Sequence, residues 1–373
     1  MKLYEYQAKE VFSEAGIRIP KSRLIQDIDT LDLALEMVGL PCVLKSQVLS
    51  GGRGKRGLIQ VVKTQEEAHR EAKRLFAHED NIKSLLVEEA IDIKEEVYVS
   101  ITVDAYAAKA LLIASSEGGV DIETLAVEQP EKIIKMPIDI RDGLQAYQAT
   151  EIAYGFGYEP AITKQIIKML LQLYHVFTKY DAELVEINPL FINAQGEVLA
   201  GDGKIMIDDN SAFRQTRYAQ DETDYKTEAE YEANRAGIPF IQFDGDIGLM
   251  CAGAGLTTTV YDLINYENGT VANYLEFGGP NYKKALEAME ICLKVPSKVI
   301  LIVTFGTIAR ADVMAEGIVD AIQRLKPDRP IVTCIRGTNE KRAVEILEAA
   351  GLEPLFDTEE AVRKAVALSK EAK

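Results

Sequence analysis

The chain has 373 residues, enough for two domains or more, each with a core of its own. Its 59 Asp and Glu outnumber 42 Lys and Arg, giving a formal net charge of −17, which argues against sequence-independent binding to nucleic acid or to anionic membranes. An anionic ligand must therefore be held by local donors such as glycine-loop amides, single Lys or Arg residues and metal ions.

No apolar run approaches a membrane span, and Met1–Gln7 lacks the apolar core of a signal peptide. Cys42, Cys251, Cys292 and Cys334 lie far apart beside apolar stretches, which reads as buried thiols in a reducing cytoplasm. The expected compartment is cytoplasmic, with no disulfide framework and no zinc site.

Residues 3–15 read as a first helix and 29–38 as a second, stopped by Gly39-Leu40-Pro41. Cys42–Lys45 is a short strand feeding a loop, Gly51-Gly52-Arg53-Gly54-Lys55-Arg56-Gly57, with four glycines and three cations. Glycine amides with Lys45 just before them suit a phosphate clamp, although a solvated hairpin tip has the same composition. No G-x-x-x-x-G-K-[ST] pattern is present. Strand 58–62 and helix 64–76 follow. Leu85-Leu86-Val87 then runs onto Glu88 and Glu89, and 96–103 and 109–114 are further strands. An acidic strand end can accept ribose hydroxyls or simply face water. Ser115–Asp121 is a glycine loop, and 146–155 and 161–179 read as helices.

Leu184–Ile192 reads as a strand, Asn193–Gly196 as a turn and Glu197–Ile205 as the returning strand. Glu186 and Asn188, two apart, project to one side, and the hairpin can bring Asp202 near both. Two carboxylates and an amide oxygen are hard donors of the kind Mg²⁺ takes when it binds with substrate phosphates. Residues 217–235 are acidic, with Asp221, Glu222, Asp224, Glu228, Glu230 and Glu232, and read as an interdomain connector, partly helical.

From Ile247 onward the pattern alternates strand and helix. Strands are expected at 247–251, 271–277, 298–304, 330–335 and 352–356, each followed by a helix. This predicts an open parallel sheet covered on both faces, with ligands beyond the carboxyl ends of the strands. Small-residue turns at Gly253, Gly306 and Gly337 sit at those ends. They expose helix amides to an anion or merely permit tight packing. His69, His78 and His175 sit beside neither a glycine turn nor a carboxylate cluster and read as surface or packing residues.

Taken together, Leu3–Lys9, Gly51–Lys55, Glu117–Val120, Glu186–Leu190, Asp202–Lys204 and Asn210–Arg214 resemble, in order and nearly end to end, the β subunit of succinate–CoA ligase. The resemblance implies an α/β chain: an ATP-grasp fold of two subdomains over 1–225, a connector over 226–242 and a flavodoxin-like doubly wound CoA-ligase domain over 243–373. It implies that Lys45, Gly52, Arg53 and Gly54 hold ATP phosphates. Glu88, Ile91 and Glu96 would lie at the ribose and base, and Asn188 and Asp202 would bind Mg²⁺. Glu186 would meet a phosphohistidine carried by a separate α subunit that also binds CoA. Pro20 resembles the ATP-preferring members.

At the acid site, Ala252, Gly253, Thr307, Ile308 and Ala309 stand at the family's substrate turns, but the residues differ. Ala252-Gly253-Ala254-Gly255 replaces Asn-Gly-Ala-Gly, and Phe305–Ala309 replaces Phe-Gly-Gly-Ile-Val. The Ala-Asn-Tyr run at 272–274 and the Thr-Ile-Ala turn are partly similar to ATP-citrate lyase and citryl-CoA synthetase. A site without one donor and with an added hydroxyl ranks acids differently, so the expected substrate is another small, multiply charged acid: hydroxylated, tricarboxylic or sulfonated. Two rivals are an ATP-grasp enzyme joining a carboxylate to an amine and a non-catalytic nucleotide-sensing subunit.

Overall fold

The computed structural model describes residues 1–120, 122–218, 225, 227–278, 283–306 and 309–371. Over its first unit, Met1–Ala219, the chain forms α1 (Glu5–Glu14), β1 (Ser22–Ile25), α2 (Leu31–Val38), β2 (Cys42–Ser46), β3 (Ile59–Val62), α3 (Gln65–Phe76), β4 (Leu85–Glu89), β5 (Ile93–Asp104) and β6 (Lys109–Ser115). It continues with α4 (Ile122–Glu128), β7 (Ile133–Ile138), α5 (Ala146–Gly155), α6 (Pro160–Lys179), β8 (Ala182–Asn193), β9 (Val198–Ala200) and β10 (Lys204–Ile207).

Two antiparallel sheets organise this unit. A small one has the order β1-β4-β2-β3. A larger one has the order β10-β8-β5-β6-β7, with β9 also pairing β8. The small sheet packs Leu44, Val62, Leu85 and Val87 against α2 and α3. On the larger sheet lies α6, which opens with Pro160 at its first turn, where a missing N–H costs nothing. Ile166, Leu170, Leu173 and Val176, spaced as one helical face, are buried there.

The returning strand expected at 197–205 is two strands. β9 pairs Leu190–Ile192 and β10 pairs Val185 and Glu186, with Gly201-Asp202-Gly203 between them. That interruption packs on α1: a Cβ on Gly203 would stand 2.5 Å from the Phe12 ring, so only glycine fits. Phe12 is fully buried. Phe12→Ala is therefore expected to destabilise this unit by about 3–5 kcal/mol, read as a lower denaturation midpoint. An unchanged midpoint would mean that the α1 seam bears little of the core's stability.

The second unit, Gln220–Lys373, contains α7 (Glu228–Ala236), β11 (Phe240–Gln242), β12 (Ile247–Cys251), α8 (Ala254–Tyr266), β13 (Val271–Leu275), α9 (Ala285–Lys294), β14 (Val299–Gly306), α10 (Ala311–Leu325), β15 (Ile331–Gly337), α11 (Glu340–Ala349) and α12 (Thr358–Glu371). The sheet order is β11-β13-β12-β14-β15, parallel except for β11. Helices cover both faces. Met250 and Ile302 pack with α7, α9, α10 and α11, whereas Leu249, Cys251 and Val303 pack with α8 and α12. Alternate residues of buried strands serve opposite cores, which is why these strands read as continuous apolar runs.

Two expectations change here. The stretch 226–242 carries α7, capped by Thr227 and closed by left-handed Gly237, and the antiparallel edge strand β11. Ala229 and Ala233 of α7 join the second core, so this stretch is part of the domain rather than a linker. Asp221, Glu222 and Asp224 lie outside the described residues. The fifth strand expected at 352–356 is a single bridge from Pro354 to Thr333, and β11 supplies the fifth strand at the opposite edge.

Candidate functional site

A cavity of about 510 Å³ opens in the first unit beneath the basic loop. Gly51–Lys55, Gly119 and Val120 line it, and Glu186 and Asn188 reach it from the middle of β8, Lys204 from the start of β10, and Asp202 from just before that strand. The period of β8 sets Glu186 and Asn188 on the same side, and the antiparallel register places Lys204 opposite Glu186. Asp202 arrives from the break between β9 and β10.

Each candidate donor is already engaged. Tyr98 Oη donates to Glu186 Oε2 at 3.0 Å. Burial raises the Glu186 carboxyl above its ordinary value, and nearby Asp202 and Glu123 add to this against Lys204 and the Tyr98 hydrogen bond. Asn188 Oδ1 accepts from Gly119 N at 2.8 Å, and its Nδ2 donates to Val120 O at 3.0 Å. Gly119 must be glycine: its φ is +70°, and a Cβ there would sit 2.1 Å from Glu96 Oε2. Asp202 Oδ1 accepts from Gly203 N and Oδ2 from Arg53 Nη2, both at 2.7 Å.

Among the described residues no group of three His, Cys, Asp or Glu side chains is arranged to hold a metal ion. Asn188 and Asp202, with Glu186 beside them, are a small hard-oxygen set. They fit a Mg²⁺ that draws its remaining ligands from phosphates and water, not one caged by protein.

Behind the cavity lies a buried ionic cluster. Lys45 Nζ meets Glu5 Oε1 at 3.1 Å and Glu88 Oε1 at 2.7 Å, and donates to Gly201 O at 2.7 Å. Lys9 pairs with Glu5 and Glu88, and Arg53 with Glu5 and Asp202. Burial opposes the charges on Glu5 and Lys45, but their partners win. Glu5 is held well below the carboxylate range by Lys45, Lys9 and Arg53, and Lys45 is raised by Glu5, Glu88 and Asp202.

The structure thus brings Gly52, Arg53, Gly54, Glu186, Asn188 and Asp202 to one cavity. Glu88, expected at the ribose, is instead 2% exposed and occupied by Lys9 and Lys45. Ile91 and Glu96 are not part of the cavity lining, although Glu96 abuts Gly119. Lys45 is buried behind the loop at its foot. Residues without any sequence expectation are Glu5, Lys9, Tyr98 and Lys204. The first two lie within the Leu3–Lys9 run and are a charged pair four apart on the helix face that carries Ala8 and Phe12. None of the three histidines lines the cavity.

In the second unit, Ala252 and Gly253 form the turn from β12 to α8, and Ala309 precedes Arg310, which caps α10. Thr307 and Ile308 lie outside the described residues. The α8 and α10 N-termini follow the adjacent parallel strands β12 and β14 at their carboxyl ends. Helix amides in such a place can receive an anion, but on α10 the first of them, Ala311 N, is already taken. Backbone bonds from Thr338 N to Gly306 O and from Ala311 N to Thr338 O, 2.8 and 2.9 Å long, tie the β14 and β15 turns together. Asp312, on α10, is bound by Arg310 and Asn339, and the Arg310 guanidinium lowers its carboxyl to about 2.

Among the described residues no helix is long and apolar enough to cross a membrane. Residues 2–192 match the ATP-grasp domain family and 250–368 the CoA-ligase family. An ADP-forming sulfoacetate–CoA ligase subunit of an Acholeplasma species is 71% identical over 370 residues, covering 99% of this chain and 92% of the relative. Another, from Bilophila wadsworthia, is 58% identical over 366 residues and covers 98% of each chain. The β subunit of an ADP-forming succinate–CoA ligase from Ignicoccus hospitalis is 40% identical over 378 residues, covering all of both. ATP citrate lyase of Methanothrix soehngenii, solved with citrate and coenzyme A, superposes with a TM-score of 0.72 over 99% of each chain at 20% identity, a likeness of fold.

Proposed function

The chain belongs to the ADP-forming CoA ligases as a β-type subunit, and from that premise we propose that its acid is sulfoacetate, joined to CoA as ATP becomes ADP and phosphate. The observation that carries this reading is Ala252. It stands where the succinate pattern has Asn, in a chain 71% and 58% identical to sulfoacetate ligase subunits and 40% identical to a succinate one. An Asn side chain offers an amide to a planar carboxylate. A sulfonate is tetrahedral, wider and permanently charged, and is suited by the room an Ala leaves beside helix amides.

The chemistry runs in three transfers. The γ-phosphoryl of ATP passes to a histidine of a partner α chain, consistent with the absence of any histidine of this chain from the cavity. The phosphoryl group then passes to the sulfoacetate carboxylate. The thiolate of CoA attacks the acyl phosphate, forming the thioester and expelling phosphate. Arg53 and the glycine amides of the loop bind the nucleotide phosphates, with Lys45 at the foot of the loop supplying charge. Mg²⁺ entering with the nucleotide would be held by Asn188 and Asp202 and would spread charge on its phosphates. Glu186 receives the partner's imidazole and orients it, and Tyr98 fixes the Glu186 carboxylate.

The test is to copurify the chain with its partner and measure phosphate release that depends on Mg-ATP and CoA across small acids. Sulfoacetate is expected to be the best substrate and succinate poor. Ala252→Asn is expected to move the ratio of kcat/KM values about tenfold or more toward succinate. Succinate turning over as well as sulfoacetate in the unaltered enzyme would overturn the substrate assignment.

A further inference from the structure

The buried cluster has a centre that the proposed chemistry does not use. Glu5, the first residue of α1, meets all three of its cations: Lys9 and Lys45 on Oε1, each at 3.1 Å, and Arg53 on Oε2. Glu88 meets two of them and Asp202 one. Gln47 Nε2 adds a contact to Glu5 Oε2 at 3.4 Å. The Glu5 side chain is 2% exposed, and it also forms part of the cavity lining.

We propose that Glu5 is a positioning residue for nucleotide binding: it sets Lys45 and Arg53 in the geometry that receives the triphosphate. This rests on the reading of those two cations as phosphate donors. A buried ion cluster is a poor source of stability, because desolvation offsets most of the Coulomb gain, whereas it restricts orientation strongly. Lys45 is a flexible ammonium with three donors. Without Glu5 it is held only by Glu88 and Gly201 O. Arg53, carried on a glycine loop, keeps only Asp202 and the Ser46 carbonyl. Donors set before the ligand arrives bind more tightly than donors that must be ordered on arrival.

The sign of the effect separates this role from a plain electrostatic one. The negative charge of Glu5 at the cavity wall repels a triphosphate, so charge alone predicts that Glu5→Gln binds ATP more tightly. Positioning predicts the opposite. In the copurified assembly, Glu5→Gln is expected to raise the Kd and KM for ATP about tenfold or more. The Kd for adenosine, which carries no phosphate, and the KM values for acid and CoA should stay within about twofold. Glu5→Asp keeps the charge but withdraws the carboxylate by one methylene, and is expected to weaken ATP several-fold with adenosine unaffected. It serves as the deciding variant if Glu5→Gln does not fold. ATP binding unchanged or tighter in a folded Glu5→Gln protein, or unchanged in Glu5→Asp, overturns the proposal. So does an equal loss for ATP and adenosine, which is the mark of a general structural defect. Lys45→Met, measured alongside, separates the two levels. If it leaves ATP binding intact, the phosphate reading of Lys45 fails. If it weakens ATP while both Glu5 variants do not, only the role of Glu5 fails.

Discussion

Glu186→Gln is expected to slow phosphoryl transfer from ATP to the partner's histidine by about 10³- to 10⁴-fold while ATP still binds. The substitution keeps the size of the side chain and its acceptor oxygen for Tyr98, so the strand and its hydrogen bond at 3.0 Å can persist. What is lost is the anionic oxygen. A carboxylate against an imidazole N–H selects the tautomer whose other nitrogen is free to attack, and it stabilises the cationic ring as the phosphoryl group arrives. An amide can present its N–H to the same ring and select the wrong tautomer. The measurement is single-turnover labelling of the partner chain with γ-³²P ATP, with nucleotide affinity determined in parallel. Labelling at the unaltered rate would remove Glu186 from the chemistry.

Asp202→Asn is expected to raise the Mg²⁺ concentration for half-maximal activity at least about tenfold and to lower kcat by about 10²- to 10³-fold. Asp202 supplies the formal charge in the pair Asn188 and Asp202. That charge is matched by Arg53, whose Nη2 stands 2.7 Å from Oδ2. On the proposed reading, a metal–nucleotide complex would offer Asp202 a stronger cation and, in the phosphates, a stronger partner for the arginine. Asparagine keeps one neutral oxygen for the metal but takes one of its two carboxylate partners from Arg53, leaving the pair with Glu5. Mn²⁺ binding with and without ATP, followed by electron paramagnetic resonance, reads the effect apart from turnover. An unaltered Mn²⁺ affinity in the ATP complex would take Asp202 out of the metal site.

The grouping of Glu186, Asn188 and Asp202 at one cavity was legible because it depends on short spacings. Residues two apart on one strand share a face, so Glu186 and Asn188 follow from periodicity alone. Asp202 follows from the hairpin, although its place in a break between two strands does not: Gly201-Asp202-Gly203 looks like part of one strand until Phe12 is known to press on it. The cluster behind the loop was not legible. Lys9 and Glu88 are 79 residues apart, and on α1 Glu5 and Lys9 have the composition of a solvated face. Only the packing of that helix between the two sheets drives them inside. The ion pairs of Glu88 were hidden for the same reason, since an acidic strand end looks alike whether it faces water, a ribose or a lysine. The α7 stretch was hidden by its own chemistry. Its buried residues are Ala229 and Ala233, which carry little apolar signal, while Glu228, Glu230 and Glu232 dominate the pattern.

Lys9, Lys45 and Arg53 face Glu5, Glu88 and the partly exposed Asp202, so three bases meet three acids beneath the loop. Three stretches far apart in the chain, α1, the β2–β4 sheet with its loop, and the β9–β10 break, each contribute to that sum. A chimaera that takes its opening helix from one homologue and the remainder from another carries an uncompensated ion into the interior unless both parents agree at all of these positions. A single change of charge beneath the loop leaves an ion without its partner, whereas a change at a solvent-facing rim residue does not.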